Sequence, residues 1–416
     1  MDSRRIFLQT LFEKAVQTCV PSVCLNSHLD NIDTNNGICV IGAGKASAEM
    51  AAAVYAKYGN ICYGKVVTRY GYGTELPTGD IEVLFAAHPV PDENSYKSGL
   101  ALLELVKRTP ANIPIIFLIS GGGSSLISVP VEGIGFSDKM ALNRFLLASG
   151  APVDQMNVVR KQLSAVKGGR LRKTAKSDCY TYVISDVVGD DPSLIASGPT
   201  IDDNSTPSQA LDILNKYEYP KHSRIIDYLK SAVQMPQEQP RKAFHQYSIV
   251  ANANKAIDSA IAVANEAGWQ TQVLNYEQQG EAAEVAKQHA SIALKLQEEG
   301  KKILLFSGGE LTVTIKGDSG DGGPNQEYLL ALAIEFNSAT GIAALSCDTD
   351  GVDGSKDVAG GYIDEFTLLK AQQKGMDPQL YLNNHNSYQF LKQIDSLVVT
   401  GPTKTNVNDF RVIMIS

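Results

Sequence analysis

A chain of 416 residues exceeds one ordinary hydrophobic core, so two domains are expected. With 44% hydrophobic and 20% charged residues it has globular composition, and a net charge of −8 with no basic, aromatic-laced run argues against a nucleic-acid binder. No apolar stretch reaches membrane-spanning length, and no continuous apolar core or cleavage site of a signal peptide appears, so no membrane is expected and the compartment is read as cytoplasmic.

The chain opens on an amphipathic pattern (Phe7, Leu8, Leu11, Phe12, Ala15, Val16). Its six cysteines lack C-x-x-C spacing and read as reduced core residues, with Cys39 and Cys347 inside strands. The six histidines form no i, i+4 pair, which speaks against zinc.

From Gly37 to about Lys230 strands and helices alternate, the pattern of parallel strands with crossover helices. Four apolar runs in the chain stop abruptly at glycine, serine or aspartate, and in open α/β sheets such strand tips are where ligands bind. The first run, Ile38-Cys39-Val40-Ile41, meets Gly42-Ala43-Gly44-Lys45-Ala46-Ser47 and then a helical pattern. This is no dinucleotide fingerprint, because the next strand ends at Thr68-Arg69 where a ribose-binding carboxylate belongs. Nor is it a phosphate-binding P-loop, since Ala46 follows Lys45 where serine or threonine is required. What remains is a helix N-terminus with Gly42, Gly44 and the cation Lys45, suited to an anion; a plain tight turn with a solvated lysine is the alternative.

The second run, 115–119, meets Ser120-Gly121-Gly122-Gly123-Ser124-Ser125. Three glycines permit torsions that aim successive N–H groups into one concavity, and the serines add hydroxyls. Arg160, Lys161, Lys167 and Arg170 then cluster around Gly168-Gly169, either as a basic helix face or as a contact for phosphate or carboxylate. The third run, Tyr182-Val183-Ile184, meets Ser185-Asp186-Val187-Val188-Gly189-Asp190-Asp191. Its carboxylates can converge on one Mg²⁺, or one can accept a substrate hydroxyl proton; Asp191 can simply cap the turn before Pro192.

The polar segment 235–242 is the best linker and divides the chain into domains 1–240 and 241–416. Beyond it come a strand at Tyr247-Ser248-Ile249-Val250-Ala251-Asn252, a helix over 253–268, a strand at 272–274 and a helix over 281–299. Strands at 302–306 and 311–315 are expected to flank Ser307-Gly308-Gly309-Glu310 as a hairpin or corner. A helix over 325–336 follows Gly322-Gly323-Pro324. The fourth run, 342–345, leads to Asp348-Thr349-Asp350-Gly351-Val352-Asp353-Gly354, half of a calcium loop without EF-hand spacing: a metal or nucleotide contact, or a turn-rich loop. Strands at 397–400 and 411–415 close the chain.

Taken in order, the Gly-Ala-Gly-Lys turn at 42–45, Thr68-Arg69-Tyr70-Gly71, His88-Pro89-Val90-Pro91-Asp92 and segments 120–125, 163–170, 185–200, 307–310, 325–327, 348–354 and 400–409 resemble the glycerate 2-kinases whose C-terminal half is the MOFRL domain. The resemblance implies two α/β domains, an N-terminal Rossmann-like one with a mostly parallel sheet and a C-terminal MOFRL-type one, with the active site in the interdomain cleft. It implies ATP- and Mg²⁺-dependent phosphorylation of the 2-hydroxyl of D-glycerate. Lys45 matches the family's cleft lysine. Gly42, Gly44 and 120–125, with Gly308, Gly309, Glu310, Asn325, Asp350 and Asp353, would face the nucleotide; Asp186 and Asp190 would hold the metal or orient the hydroxyl; Arg160 would meet the glycerate carboxylate. The sequence departs from the family at Pro324, where an arginine is usual except in the tartrate-utilisation branch, so that Arg160 or Lys404 must stand in. It departs again at His385-Asn386, where Asn-Asp is expected.

Two rivals stand beside this reading. One is an NAD(P)H-dependent hydroxypyruvate reductase, disfavoured by the missing ribose carboxylate. The other is a non-catalytic sugar-phosphate or nucleotide sensor, which would need the loops but not the two aspartate clusters.

Overall fold

The computed structural model describes residues 2–30, 32–235, 244–315, 317 and 319–416. The chain condenses into two compact units, neither continuous in sequence: Leu25–Ile184 with Asp190–Val250, and Met1–Cys24 with Ser185–Gly189 and Ala251–Ser416. They are termed the first and second units below.

The first unit carries a six-stranded sheet in the order β3-β2-β1-β4-β5-β6, the strand order of dinucleotide-binding sheets. Its strands are β1 (Ile38–Ala43), β2 (Cys62–Arg69), β3 (Asp80–Ala86), β4 (Ile115–Ser120), β5 (Cys179–Ile184) and β6 (His245–Ala251). The pairings from β3 to β5 are parallel, as the alternation of elements predicts. Every residue of β1 and β4 is buried, which is why both read as unbroken apolar runs. The register sets Ala43 opposite Ile119 and Ser120 opposite Ile184, so the ends of β1, β4 and β5 come level along one edge.

A second apolar cluster of this unit is built mainly from helices. Leu142 and Leu146 of helix Phe136–Ala148 meet Val159 of Val153–Gln162, Leu214 of Pro207–Lys216 and Leu229 of Arg224–Val233. Each of the last two helices begins with a hydroxyl cap, Thr206 accepting from Gln209 N and Ser223 from Ile226 N.

The strand expected to open the second block is β6, the last strand of this first sheet. A crossover strand and a domain-opening strand carry the same apolar pattern, so sequence could not separate them. The linker expected at 235–242 lies, apart from Met235, outside the described residues.

The second unit holds a sheet in the order β11-β10-β9-β12-β8-β7. These are β7 (Gln270–Gln278), β8 (Ile303–Gly309), β9 (Ile342–Asp348), β10 (Gly360–Asp364), β11 (Leu397–Val398) and β12 (Asp409–Ile415). Only β7 and β8 pair in parallel; the remaining pairs are antiparallel. The strand expected at 311–315 does not form. Thr312 makes a single bridge to Glu281, whose carboxylate also takes Thr314 N at 3.0 Å. Helix Pro324–Phe336 is the unit's central element and is buried from Asn325 to Ala333.

The N-terminal helix Ser3–Cys19 also belongs to this unit. Leu8, Leu11, Phe12, Ala15 and Cys19 form its buried stripe, and Phe12 lies 5.8 Å from the Phe410 ring. All six cysteines are free thiols. Among the described residues no helix is long and apolar enough to cross a membrane.

Candidate active site

The turn after β1 is anchored to the tip of β4 rather than open. Lys45 N donates to Gly121 O (2.9 Å), Ala46 N to Ser120 Oγ (3.0 Å) and Ser47 N to Gly44 O (3.1 Å). Amides expected to cradle an anion are thereby engaged within the protein. Gly42 and Gly44 serve packing: a Cβ on Gly42 would lie 2.6 Å from Val66 Cγ1, and one on Gly44, at φ +145°, 2.0 Å from Ser120 Oγ. The turn still aims Lys45, whose half-buried side chain runs beside Gly122.

The loop after β4 is the open one. Gly122 adopts φ +80° and starts the single helical turn Gly123–Leu126, whose first N–H groups no intrahelical carbonyl can take. Gly122 can only be glycine, since a Cβ would come within 2.9 Å of the His88 ring. Gly121 and Gly123 flank it, and Ser124 and Ser125 border a cleft of about 290 Å³ within the first unit. One wall is His88-Pro89-Val90-Pro91. The other is helix Phe136–Ala148, through Lys139, Met140, Asn143, Arg144 and Leu147, with Arg160 and Lys167 completing the lining.

None of the lining residues is acidic, and the cations are held with unusual care. Arg160 Nε donates to Asn143 Oδ1 at 3.2 Å, and among the described residues its Nη atoms meet no protein acceptor. Burial lowers its affinity for its proton. Lys139 is 3% exposed and Lys167 4% exposed. Lys139 Nζ donates to Val129 O (3.2 Å), while Lys167 Nζ is bonded to Ser124 Oγ and reaches Ser197 Oγ at 3.4 Å. Burial first, then Arg160 and Arg170, pushes Lys139 down to about 7. Burial and then Lys139, Arg160 and Lys161 push Lys167 well below the usual lysine range. Burial, Lys45 and Arg69 lower His88 to about 4, so its ring is neutral near pH 7. Cations gathered without a counter-charge form a site for an anion.

The basic segment divides by role. Lys161 pairs with Asp203 (3.3 Å), Arg172 with Asp202 (2.9 Å), and Arg170 donates to Ser164 O (2.6 Å); Arg160 and Lys167 face the cleft. The glycine pair after Lys167 permits close approach of the chain itself, not of a ligand. A Cβ on Gly168 would meet Asp203 at 2.8 Å, and Gly169 N donates to Gly198 O at 2.7 Å. Lys139 carried no motif; in the fold it shares the buried side of its helix with Leu142 and Leu146.

Asp186 and Asp190 sit four apart in the loop after β5, both half-buried. Asp186 belongs to the second unit, where its Oδ2 accepts from Asn406 Nδ2 at 3.4 Å; Asp190 belongs to the first and takes φ +52°. Asp191 Oδ1 caps the following turn through Ser193 N (2.8 Å). Among the described residues no three His, Cys, Asp or Glu side chains converge as a metal site.

In the second unit Asn325, Asp353 and Gly308 are tied into a buried network. Asp353 accepts from Asn325 N (3.1 Å), Gln326 N (2.9 Å) and Gln326 Nε2 (2.8 Å), so both its oxygens close the start of helix Pro324–Phe336. Asn325 Nδ2 reaches Asp409 Oδ1 (2.6 Å), and Asp409 pairs with the buried Arg411 at 2.7 Å. Arg411 Nη2 also donates to Gly308 O. Gly309 lies against β7, where a Cβ would meet Gln278 N at 2.3 Å. Glu310 is exposed, with its N–H on Gln278 O at 3.0 Å. Asp350 is 8% exposed and accepts from Val352 N (2.8 Å). The atoms named here are engaged inside the unit.

Comparison with known proteins adds a separate line. The profile described as a domain of unknown function, DUF4147, matches residues 7–230, and that of the MOFRL family matches 303–409. A D-glycerate 2-kinase from Thermotoga maritima is 37% identical over 412 residues, 97% of this chain and 97% of its own. A protein from Agrobacterium vitis with the provisional name hydroxypyruvate reductase is 41% identical over 99% of this chain and 95% of its own. The crystal structure of a glycerate kinase from Thermotoga maritima matches with a TM-score of 0.93 at 35% identity, covering 100% of both chains.

Proposed function

The chain belongs to the family that joins a DUF4147 domain to a MOFRL domain, and from that premise we propose that it is a glycerate 2-kinase, transferring the terminal phosphoryl group of ATP to the 2-hydroxyl of D-glycerate. The observation that carries the reading is the cleft of the first unit: cations without an acid, bordered by the glycine-serine loop. At about 290 Å³ it lies at the lower end of ligand-pocket sizes, roughly 300–1,000 Å³, and so suits a small hydroxy acid rather than a whole nucleotide.

Phosphoryl transfer asks the protein mainly to position reactants and neutralise charge. Arg160, its plane set by Asn143, grips the substrate carboxylate through two parallel N–H bonds. Lys45, directed past Gly122, and the N–H groups at 121–124 stabilise the negative charge of the phosphoryl oxygens. Mg²⁺, when bound, screens phosphate charge; Asp186, with Asp190 four residues on, is the carboxylate proposed for it. Both fit that role by their chemistry, since Mg²⁺ is bound through one or two carboxylates together with phosphate oxygens and water.

The reductase reading has one structural observation in its favour, the dinucleotide-type strand order. The turn after β1 opposes it, since its amides are bonded to Ser120 and Gly121, and β2 ends in Arg69 rather than an acid. A coupled ADP-release assay over a panel of hydroxy acids, with the phosphorylated carbon assigned by phosphorus NMR, tests the kinase. ADP release absent for every acid, together with loss of NADH absorbance on hydroxypyruvate, would establish the rival.

A further inference from the structure

Lys139 has no obvious reason to be where it is. The residue is 3% exposed, and its Nζ meets a single carbonyl, Val129 O. A lysine in such a place normally has a carboxylate. Here the charged groups around it repel it, Arg160 on the neighbouring helix, Arg170 beyond it and Lys167, while Arg144 of its own helix lines the same cleft. His88 on the facing wall is neutral. The nearby acids are committed elsewhere, Asp203 to Lys161 and Ser205, and Asp138 to Gly135 N. Among the described residues no carboxylate is left to balance Lys139, and the cleft it lines is a way in for one.

We infer that Lys139 is a second anchor for the anionic end of the substrate, its ammonium form completed by the arriving anion, so that binding above neutral pH takes up a proton. The inference rests on the kinase reading only for the identity of the anion. The proton comes from solvent to Nζ, no covalent bond changes, and the bound state gains one N⁺–H···O⁻ contact beside Arg160. The sign follows directly. With a free-state value of about 7, raised by the anion in the complex, affinity is full below pH 7 and falls as pH rises above it, by about tenfold per unit until the raised value is reached. Lys167 differs, because its Nζ is already tied to Ser124 and Ser197.

The test is calorimetry of D-glycerate binding to the full chain without nucleotide, near pH 8, in two buffers of different ionisation enthalpy. Wild type is expected to take up about one proton per glycerate. Lys139→Arg, always charged, should bind without uptake and with a flat pH profile; Lys139→Met should bind weakly, also without uptake. Uptake that persists in both variants, or none in wild type, overturns the assignment. Proton-linked binding without ADP release would sustain the anchor and sink the kinase reading. ADP release with proton-free binding would do the reverse, and absence of glycerate binding would sink both.

Discussion

Lys45 and Arg160 differ in how their chemistry is prepared, and each invites its own measurement. Lys45 leaves a turn locked by Gly44 against Ser120, so removing its side chain should not disturb the backbone. Lys45→Ala is expected to keep the thermal transition of wild type and to lower kcat at least about 100-fold, the scale of one lost charge-stabilising donor. Turnover within a few-fold of wild type would remove it from the mechanism. Arg160 is held by Asn143 so that its paired Nη atoms point as a fork. Arg160→Lys keeps the charge and loses the fork, and should raise KM for glycerate about tenfold or more, equivalent to about 1.4 kcal/mol, while KM for ATP holds. Both stood out in sequence as candidates, one beside a strand tip and one in a basic cluster. Lys139 and Asn143 did not, because a single lysine and a single asparagine on a helix carry no motif; only the helical cluster of Leu142, Leu146 and Val159 shows which way they face.

At the scale of elements, strand tips were the most readable feature. Unbroken apolar runs can be buried on both faces only in a covered parallel sheet, and β1 and β4 are. What the tips do was less readable: the same glycine-rich grammar serves a packed turn at 42–45 and an open loop at 121–125, and only the hydrogen bonds of Ser120 tell them apart. The acid-rich loop after β9 shows the same ambiguity. Asp353 reads as a ligand by composition, yet it caps the buried helix Pro324–Phe336 through two backbone N–H groups and two side-chain amides. Asp353→Ala would strand those donors in the core, a loss of at least about 3 kcal/mol on the usual cost of unpaired buried groups. Urea denaturation should show it as a lowered midpoint with unchanged slope. If Asp353→Asn stays as stable as wild type but loses affinity for ATP, the ligand role regains its claim.

At the scale of the whole chain, the two compact units are sewn from non-contiguous pieces, and this no local pattern could announce. An amphipathic helix at residues 3–19 declares that it covers something, not what it covers. It covers the second unit. Leu8, Leu11 and Phe12 are buried there, Arg5 donates to Asp395 O (2.7 Å) and Leu397 O (2.8 Å), and Tyr362 OH donates to Asp2 at 3.0 Å. Three large apolar side chains contribute roughly 5 to 9 kcal/mol on burial, comparable with the entire stability of a domain, about 5–15 kcal/mol. Deleting residues 1–24 should therefore unfold the second unit selectively. Trp269, the sole tryptophan, reports on that unit directly, since its ring stacks 6.1 Å from Phe7. The truncated chain is expected to show unfolded-type tryptophan emission without denaturant, and a synthetic peptide of residues 1–24 added in trans should restore native emission and a cooperative urea transition. A truncated chain whose tryptophan transition keeps the wild-type midpoint would mean that the C-terminal sheet closes its own core, and that the N-terminal helix is an ornament on it.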